Sequence, residues 1–242
     1  TDKKPFNNVK VRKALAMAID RKVITENVAQ GGQSPAYAVV PTGIPEGTGD
    51  FAENTGQLFK EDVEEAKKLL AEGLAEEGMT SVPPFTILYN TLDAHKKIAE
   101  AIQEMWRKNL DVNVTLENVE FQVKLDREKA GDYDVSRAGW VGDYVDPMTF
   151  LELWVTDGAY NDANWSNTEY DKLVHEGRTI MEEEQRMASL HKAEEILIEE
   201  MPIMPIYFYT RPYTVKEYVT GVYAPINRYP QFQYADIDLS KK

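Results

Sequence analysis

The sequence predicts an α/β protein with a β-rich tail, and three observations carry that prediction. Phe85-Thr86-Ile87-Leu88-Tyr89, a helical stretch with Ile98, Ile102, Met105 and Trp106, and Val112-Asn113-Val114-Thr115-Leu116 follow one another as strand, helix and strand. That spacing is a βαβ unit, with parallel strands and a right-handed crossover. Helical apolar stripes recur elsewhere, whereas from Tyr213 onward only short β-rich runs remain, broken by Pro225 and Pro230. Such runs carry too little apolar alternation to form a core of their own.

The elements follow in chain order. Asn7 or Asn8 is placed to cap a helix with Val11, Leu15, Ala18 and Ile19 on one face, running to about Ile24. Gln30 to Gly56 is loop-like, dense in Gly and Pro, and a loop of that length lies over a surface or a cleft. Asp62 starts a second helix striped by Val63, Ala66, Leu70 and Leu74, ending near Gly78. After the first strand of the βαβ unit, Asp93 is placed to cap its helix, and His95 falls in that helix's first turn. Open α/β sheets place ligands at this end of a strand. Phe121 to Lys129 reads as another helix feeding a short strand from Tyr133 to Ser136. A short helix follows Pro147, then a polar loop from Asp157 to Ser166. Asn167 caps a helix lined by Tyr170, Leu173, Val174 and Ile180, and Glu184 to Glu200 forms one more. Ile203 to Tyr209, interrupted by Pro205, is strand-like and ends on Tyr207-Phe208-Tyr209.

Composition narrows the partners. With 242 residues, 43% hydrophobic and 28% charged, the chain can bury a real core. A net charge of -14 repels phosphate backbones, so nucleic acid is not expected as a partner. There is no cysteine, hence no disulfide framework or thiol nucleophile, and either redox compartment is compatible. No apolar run approaches the ~18 residues of a membrane span, and no signal peptide opens the sequence. Thr1 to Phe6 reads as an extended segment entering from elsewhere, as a mature terminus or a cut edge would.

The densest chemical stretch is Arg137-Ala138-Gly139-Trp140-Val141-Gly142-Asp143-Tyr144, which follows a strand and precedes the turn signal Asp146-Pro147. Two glycines bare the backbone beside an aromatic wall, an arginine and a carboxylate, the make-up of a ligand-contacting strand end. The plainer reading is a buried strand with a glycine-loosened exit and solvated charges at Arg137 and Asp143. Catalytic signatures are missing. His95, His175 and His191 fall in three different helices without metal-ligand spacing, so no metal or cofactor is expected. Asp143 and Asp146 are a carboxylate pair that a glycosidase could use, but turn chemistry accounts for Asp146-Pro147. Walker loops, serine elbows and dinucleotide fingerprints are absent.

Several segments together resemble the oligopeptide-binding branch of the extracytoplasmic solute-binding proteins of ABC importers. They are Lys4 to Leu15 with Ala18-Ile19-Asp20-Arg21, Tyr89 to Lys97, Trp106 to Val114, Arg137 to Tyr144 with Asp146-Pro147, Glu169 to Leu173, and Met204 to Tyr209. The resemblance covers nearly the whole chain and is to the carboxyl-terminal half of the family. It implies a type II periplasmic-binding-protein-like lobe, with a mixed sheet flanked by helices, over residues 1–212. Residues 213–242 would then be the tail that completes the other lobe. It also implies a non-enzymatic monomer, extracytoplasmic in the periplasm or lipid-anchored, that captures oligopeptides and delivers them to an ABC permease with its ATPase subunits.

The resemblance implies roles as well. Backbone groups near Gly139 and Val141 would pair with the peptide as an added strand, Trp140 would be the wall, and Asp143 would meet the α-ammonium. Arg137 and His95 match positions that receive the peptide carboxylate. The sequence departs from the pattern before this strand: Glu128 stands where oligopeptide binders can carry a further arginine, with Arg127 one residue off. Rival readings are the same fold binding a dipeptide, nickel, a sugar or a signalling peptide, an isolated lobe without measurable affinity, and last an enzyme. An anion at Asp143 separates the peptide reading from the others.

Overall fold

The structure, a computed structural model, describes residues 1–225 and 229–241. Its first helix, α1 (Val9–Met17), starts where the Asn8 side chain accepts a hydrogen bond from the Lys10 amide at 2.9 Å. The helix expected to run to Ile24 breaks at Ala18. Asp20 then caps a new turn, α2 (Arg21–Val23), through the Val23 amide at 2.8 Å, and the chain continues as a π-helix over Ile24–Ala29. A carboxylate two residues past a helix end supplies the acceptor for a restart, which outweighs the continuous apolar stripe.

The long loop after Gln30 holds β1 (Ser34–Pro35), β2 (Pro45–Glu46), β3 (Gly49–Asp50) and α3 (Phe51–Thr55). It is tied down from a distance, because Glu194 accepts hydrogen bonds from the Val39 and Val40 amides, both at 2.7 Å. Asp62 caps α4 (Val63–Glu76) as expected, at 3.0 Å from the Glu65 amide. The α4 stripe packs on α1 so closely that a Cβ on Gly73 would stand 2.9 Å from Val11.

Then come β4 (Phe85–Asn90), α5 (Asp93–Leu110), β5 (Val114–Val119), α6 (Phe121–Ala130) and β6 (Val135–Ser136). Asp93 is the first residue of α5 rather than its cap; Leu92 occupies the cap position and offers no side-chain acceptor. The strands form one sheet in the order β5-β4-β6, with Phe85 opposite Val114, Asn90 opposite Val119 and Leu88 opposite Ser136. Both pairings are parallel, as the βαβ reading requires. The antiparallel pairing expected of a mixed sheet occurs apart from it, in separate two-stranded pairs.

Three α-helices follow, and then three short strands. α7 (Met148–Leu151) leads to α8 (Thr168–Thr179), capped by Asn167, and α9 (Glu183–Glu200). β7 (Tyr207–Phe208) returns to pair with β1. The tail contains β8 (Val219–Thr220) and β9 (Asp236–Ile237), paired antiparallel. The β-rich tail expected over 213–242 includes residues 226–228 and 242, which lie outside the described residues.

Among the described residues, one small cluster of Ala16, Ile198 and Met201 and two large apolar cores carry the fold. One joins α1, α4, α5 and the sheet around Trp106, which is 1% exposed and donates its indole N–H to the Leu15 carbonyl at 2.8 Å. The other gathers α7, α8 and α9 around Tyr170, Trp165 and Phe51. Buried arginines tie the cores together by saturating backbone carbonyls. Arg12 donates to Phe6, Asn7, Glu200 and Met201, and Arg21 to Ala16, Ile19, Ala36 and Pro205. Burial pushes the Arg21 pKa down to about 10, and its charge also faces the Phe59 ring at 4.5 Å. No helix among the described residues is long and apolar enough to cross a membrane.

Candidate functional site

The chemistry collects at the carboxyl edge of the parallel sheet, where β4 and β6 end and α5 and α6 begin. The register of β6 continues for one more step, as the Arg137 amide donates to the Leu88 carbonyl at 2.8 Å. Beyond it the chain leaves the sheet. Among the described residues, the backbone from Ala138 to Gly142 makes no hydrogen bond to protein. Backbone groups in such a state need water or a ligand.

Gly139 and Val141 are exposed, and Trp140 is half-buried with its ring edge-on to Tyr160 at 4.9 Å. The Trp140 indole nitrogen is buried and has no partner among the described residues. Gly142 allows a close turn, since a Cβ there would meet Thr149 at 2.9 Å and Phe150 at 3.0 Å. Thr149 holds the next residue: its hydroxyl accepts from the Asp143 amide at 3.0 Å. The Asp143 carboxylate itself is exposed and has no ion pair or hydrogen bond among the described residues.

Asp146 is a different case. Its carboxylate pairs with Arg186 at 2.7 Å and accepts from the Met148 amide at 2.9 Å, so it is committed to the start of α7. Asp143 and Asp146 therefore do not form two free carboxylates.

Arg137 is half-buried and has no carboxylate partner among the described residues. Its Nη2 donates to the hydroxyls of Tyr209 and, at 3.4 Å, Tyr207, and the guanidinium lies 5.7 Å from the Tyr209 ring. His95, 8% exposed, sits one turn into α5 with its Nδ1 3.0 Å from Asn90 Oδ1. Burial first, and then the neighbouring Arg137 charge, push the His95 pKa down to about 4. The imidazole is accordingly neutral near neutral pH, with Nδ1 donating to Asn90 and Nε2 left as an acceptor.

The departure at Glu128 has a clear structural form. Glu128 is buried, 2.5 Å from the buried Lys124, and also accepts from the Ser136 hydroxyl at 2.6 Å. Arg127 turns away to Glu117 at 2.6 Å and to Asp132 at 3.1 Å. Neither position offers a free cation to this edge. His175 is exposed on α8, and His191 stacks on Phe51 at 3.9 Å while binding Glu46. No three metal-ligating side chains converge among the described residues.

Sequence reasoning missed Thr149, Tyr207, Tyr209 and the Lys124–Glu128 pair. Only the tyrosines carried a signal: residues 207 and 209 share one face of a strand.

An unbonded backbone beside an exposed carboxylate, as found among the described residues, is the geometry of a binding module. The chain belongs to the bacterial extracellular solute-binding proteins, family 5, whose "Middle" description matches residues 1–162. That class is non-enzymatic. The chain is 45% identical over 230 residues to the oligopeptide-binding protein OppA of Bacillus subtilis, covering 93% of this chain and 42% of that protein. It is 39% identical to the dipeptide-binding protein DppE of the same organism, covering 96% of this chain and 43% of the relative. The peptide-bound structure of Listeria monocytogenes OppA superposes with a TM-score of 0.84 at 34% identity, over 97% of this chain and 46% of that one. The chain thus spans less than half the length of the curated relatives it matches.

Proposed function

We propose that this chain is the carboxyl-terminal lobe of the substrate-binding component of an ABC importer, and that the whole protein captures extended oligopeptides between two lobes. The observation that carries the reading is the pairing of an unbonded backbone from Ala138 to Gly142 with an unpartnered carboxylate at Asp143. A peptide in extended form offers a backbone ladder and an α-ammonium, and these two features receive them. Gly139 and Val141 add the peptide as a strand, Trp140 forms the wall, and Arg137 receives the carboxylate end, while the neutral His95, whose Nε2 is an acceptor, borders that end without donating to it.

The tail over 213–242 completes the other lobe. Its exposed Tyr213, Tyr223, Tyr229, Phe232 and Tyr234, and the absence of any tail residue from the apolar cores among the described residues, support that role. The protein works outside the cytoplasm, in the periplasm or on a lipid anchor, as a monomer that delivers to permease and ATPase subunits. Relatives named as periplasmic oligopeptide-binding proteins support the compartment.

The likeness to DppE favours one second reading, a preference for dipeptides. Calorimetric titration of the full-length protein with alanine di-, tri-, tetra- and pentapeptides separates the two. Binding that strengthens beyond the dipeptide supports the oligopeptide reading; binding of the dipeptide alone replaces it; binding of none refutes both.

A further inference from the structure

Resting on the peptide reading above, we infer that Tyr209 is a positioning residue that locks the arginine anchor to the ligand-pairing strand and favours glycine at position 139. The hydroxyl of Tyr209 accepts from Arg137 Nη2, and the same hydroxyl occupies the space next to Gly139, where a Cβ would stand 2.7 Å from it. One phenol therefore fixes two parts of the site at once: the direction of a guanidinium and the course of the backbone two residues later. Tyr207 backs it, edge-on at 5.3 Å and within 3.4 Å of the same guanidinium nitrogen. Both tyrosines stand on or next to β7, which is pinned to β1, so the support is rigid.

The arrangement leaves Arg137 prepared for an anion. Only Nη2 is engaged; Nε and Nη1 have no protein partner among the described residues. The other cations at this edge are cancelled, Lys124 by Glu128 and Arg127 by Glu117. A guanidinium whose side-chain freedom is already removed binds a carboxylate without the entropic cost of ordering itself. Tyr209 would therefore act on discrimination between ligands with and without a terminal carboxylate, not on binding as such.

The test uses full-length protein as wild type, Tyr209→Phe, Gly139→Ala, Tyr209→Ala and the double variant Gly139→Ala with Tyr209→Ala. Each is titrated calorimetrically with an alanine peptide of the best-bound length, as free acid and as carboxy-amide. Wild type should favour the acid by at least about tenfold, as expected of a charge-assisted hydrogen bond. Tyr209→Phe should cut that ratio to about threefold or less while changing amide affinity by less than about twofold, a pattern that general loss of structure would not produce. Gly139→Ala should weaken both ligands, and adding Tyr209→Ala should recover amide binding without recovering the acid preference. An unchanged ratio in Tyr209→Phe, or effects of the 139 and 209 substitutions that simply add, would overturn the assignment. Failure of the wild type to bind either peptide would overturn the peptide reading itself. Wild-type binding with no acid preference would remove only the anchor.

Discussion

The amide of Asp143 is held by the hydroxyl of Thr149 at 3.0 Å, while the carboxylate of the same residue is left to solvent. Thr149 is 1% exposed, so a buried side chain on α7 sets the aim of a surface charge. Thr149→Val keeps the shape and removes the acceptor. The expected cost is about 1 kcal/mol of stability, the net worth of one hydrogen bond, with a similar loss of peptide affinity, about fivefold. Urea unfolding and calorimetry report the two; unchanged affinity would show that Asp143 does not depend on this support.

Arg21 should be far less tolerant than any residue at the sheet edge. It is fully buried and its guanidinium saturates four carbonyls from three separate parts of the chain. Arg21→Ala strands those acceptors and opens a cavity, at a cost of at least about 3 kcal/mol. Arg21→Lys should recover less than half of it, because an ammonium cannot reach as many directions. Urea midpoints of the two variants measure this.

His95 makes stability fall in acid. Its folded pKa of about 4 lies below the ordinary 6.5, so between these values the unfolded chain binds more protons than the folded one. The stability it contributes is complete above pH 6.5 and is lost as pH falls towards 4. Arg137 and Lys124, the charges facing it, push in the same direction. Measured against His95→Gln by urea unfolding across this range, the wild type should lose more; parallel profiles would mean that the imidazole is already protonated in the fold.

The tail should be dispensable to the body. Truncation after Pro212 removes β8, β9 and the segment that follows, with Ile237 and Leu239 exposed, and takes none of the described residues from the apolar cores. A fragment of residues 1–212 is expected to unfold cooperatively at a urea midpoint close to that of residues 1–242. Loss of cooperative unfolding would move the boundary.

Caps and periods made much of this fold legible. Asn8, Asp62 and Asn167 cap the helices assigned to them, and the βαβ unit pairs in parallel as its spacing requires. What escaped was set by tertiary contact. The end of α1 at Ala18 depends on Asp20 finding the Val23 amide, which a stripe of apolar residues does not report. Likewise, Glu128 reads as an ordinary helical acid until Lys124 and Ser136 are seen around it. The octet from Arg137 to Tyr144 stood out as a candidate site because its residue types conflict with a plain strand. Its supports, Thr149 and Tyr209, were not, since each reaches it from another element.

The central claim is that Asp143 receives a peptide's α-ammonium, and one calorimetric double-mutant cycle tests it most directly. Full-length wild type and Asp143→Ala are titrated with one peptide in free-amine and amino-acetylated form. A charge pair desolvated between lobes is costly to break from one side, on the order of 2 to 5 kcal/mol, against well under ~1 kcal/mol for a solvated rim pair. Asp143→Ala should therefore weaken the free-amine peptide at least about tenfold, roughly 1.4 kcal/mol, and leave the acetylated peptide, already weak on wild type, nearly unchanged. Additive losses, with no coupling between the peptide's amine and Asp143, would contradict the account and return Asp143 to the role of a solvated turn residue.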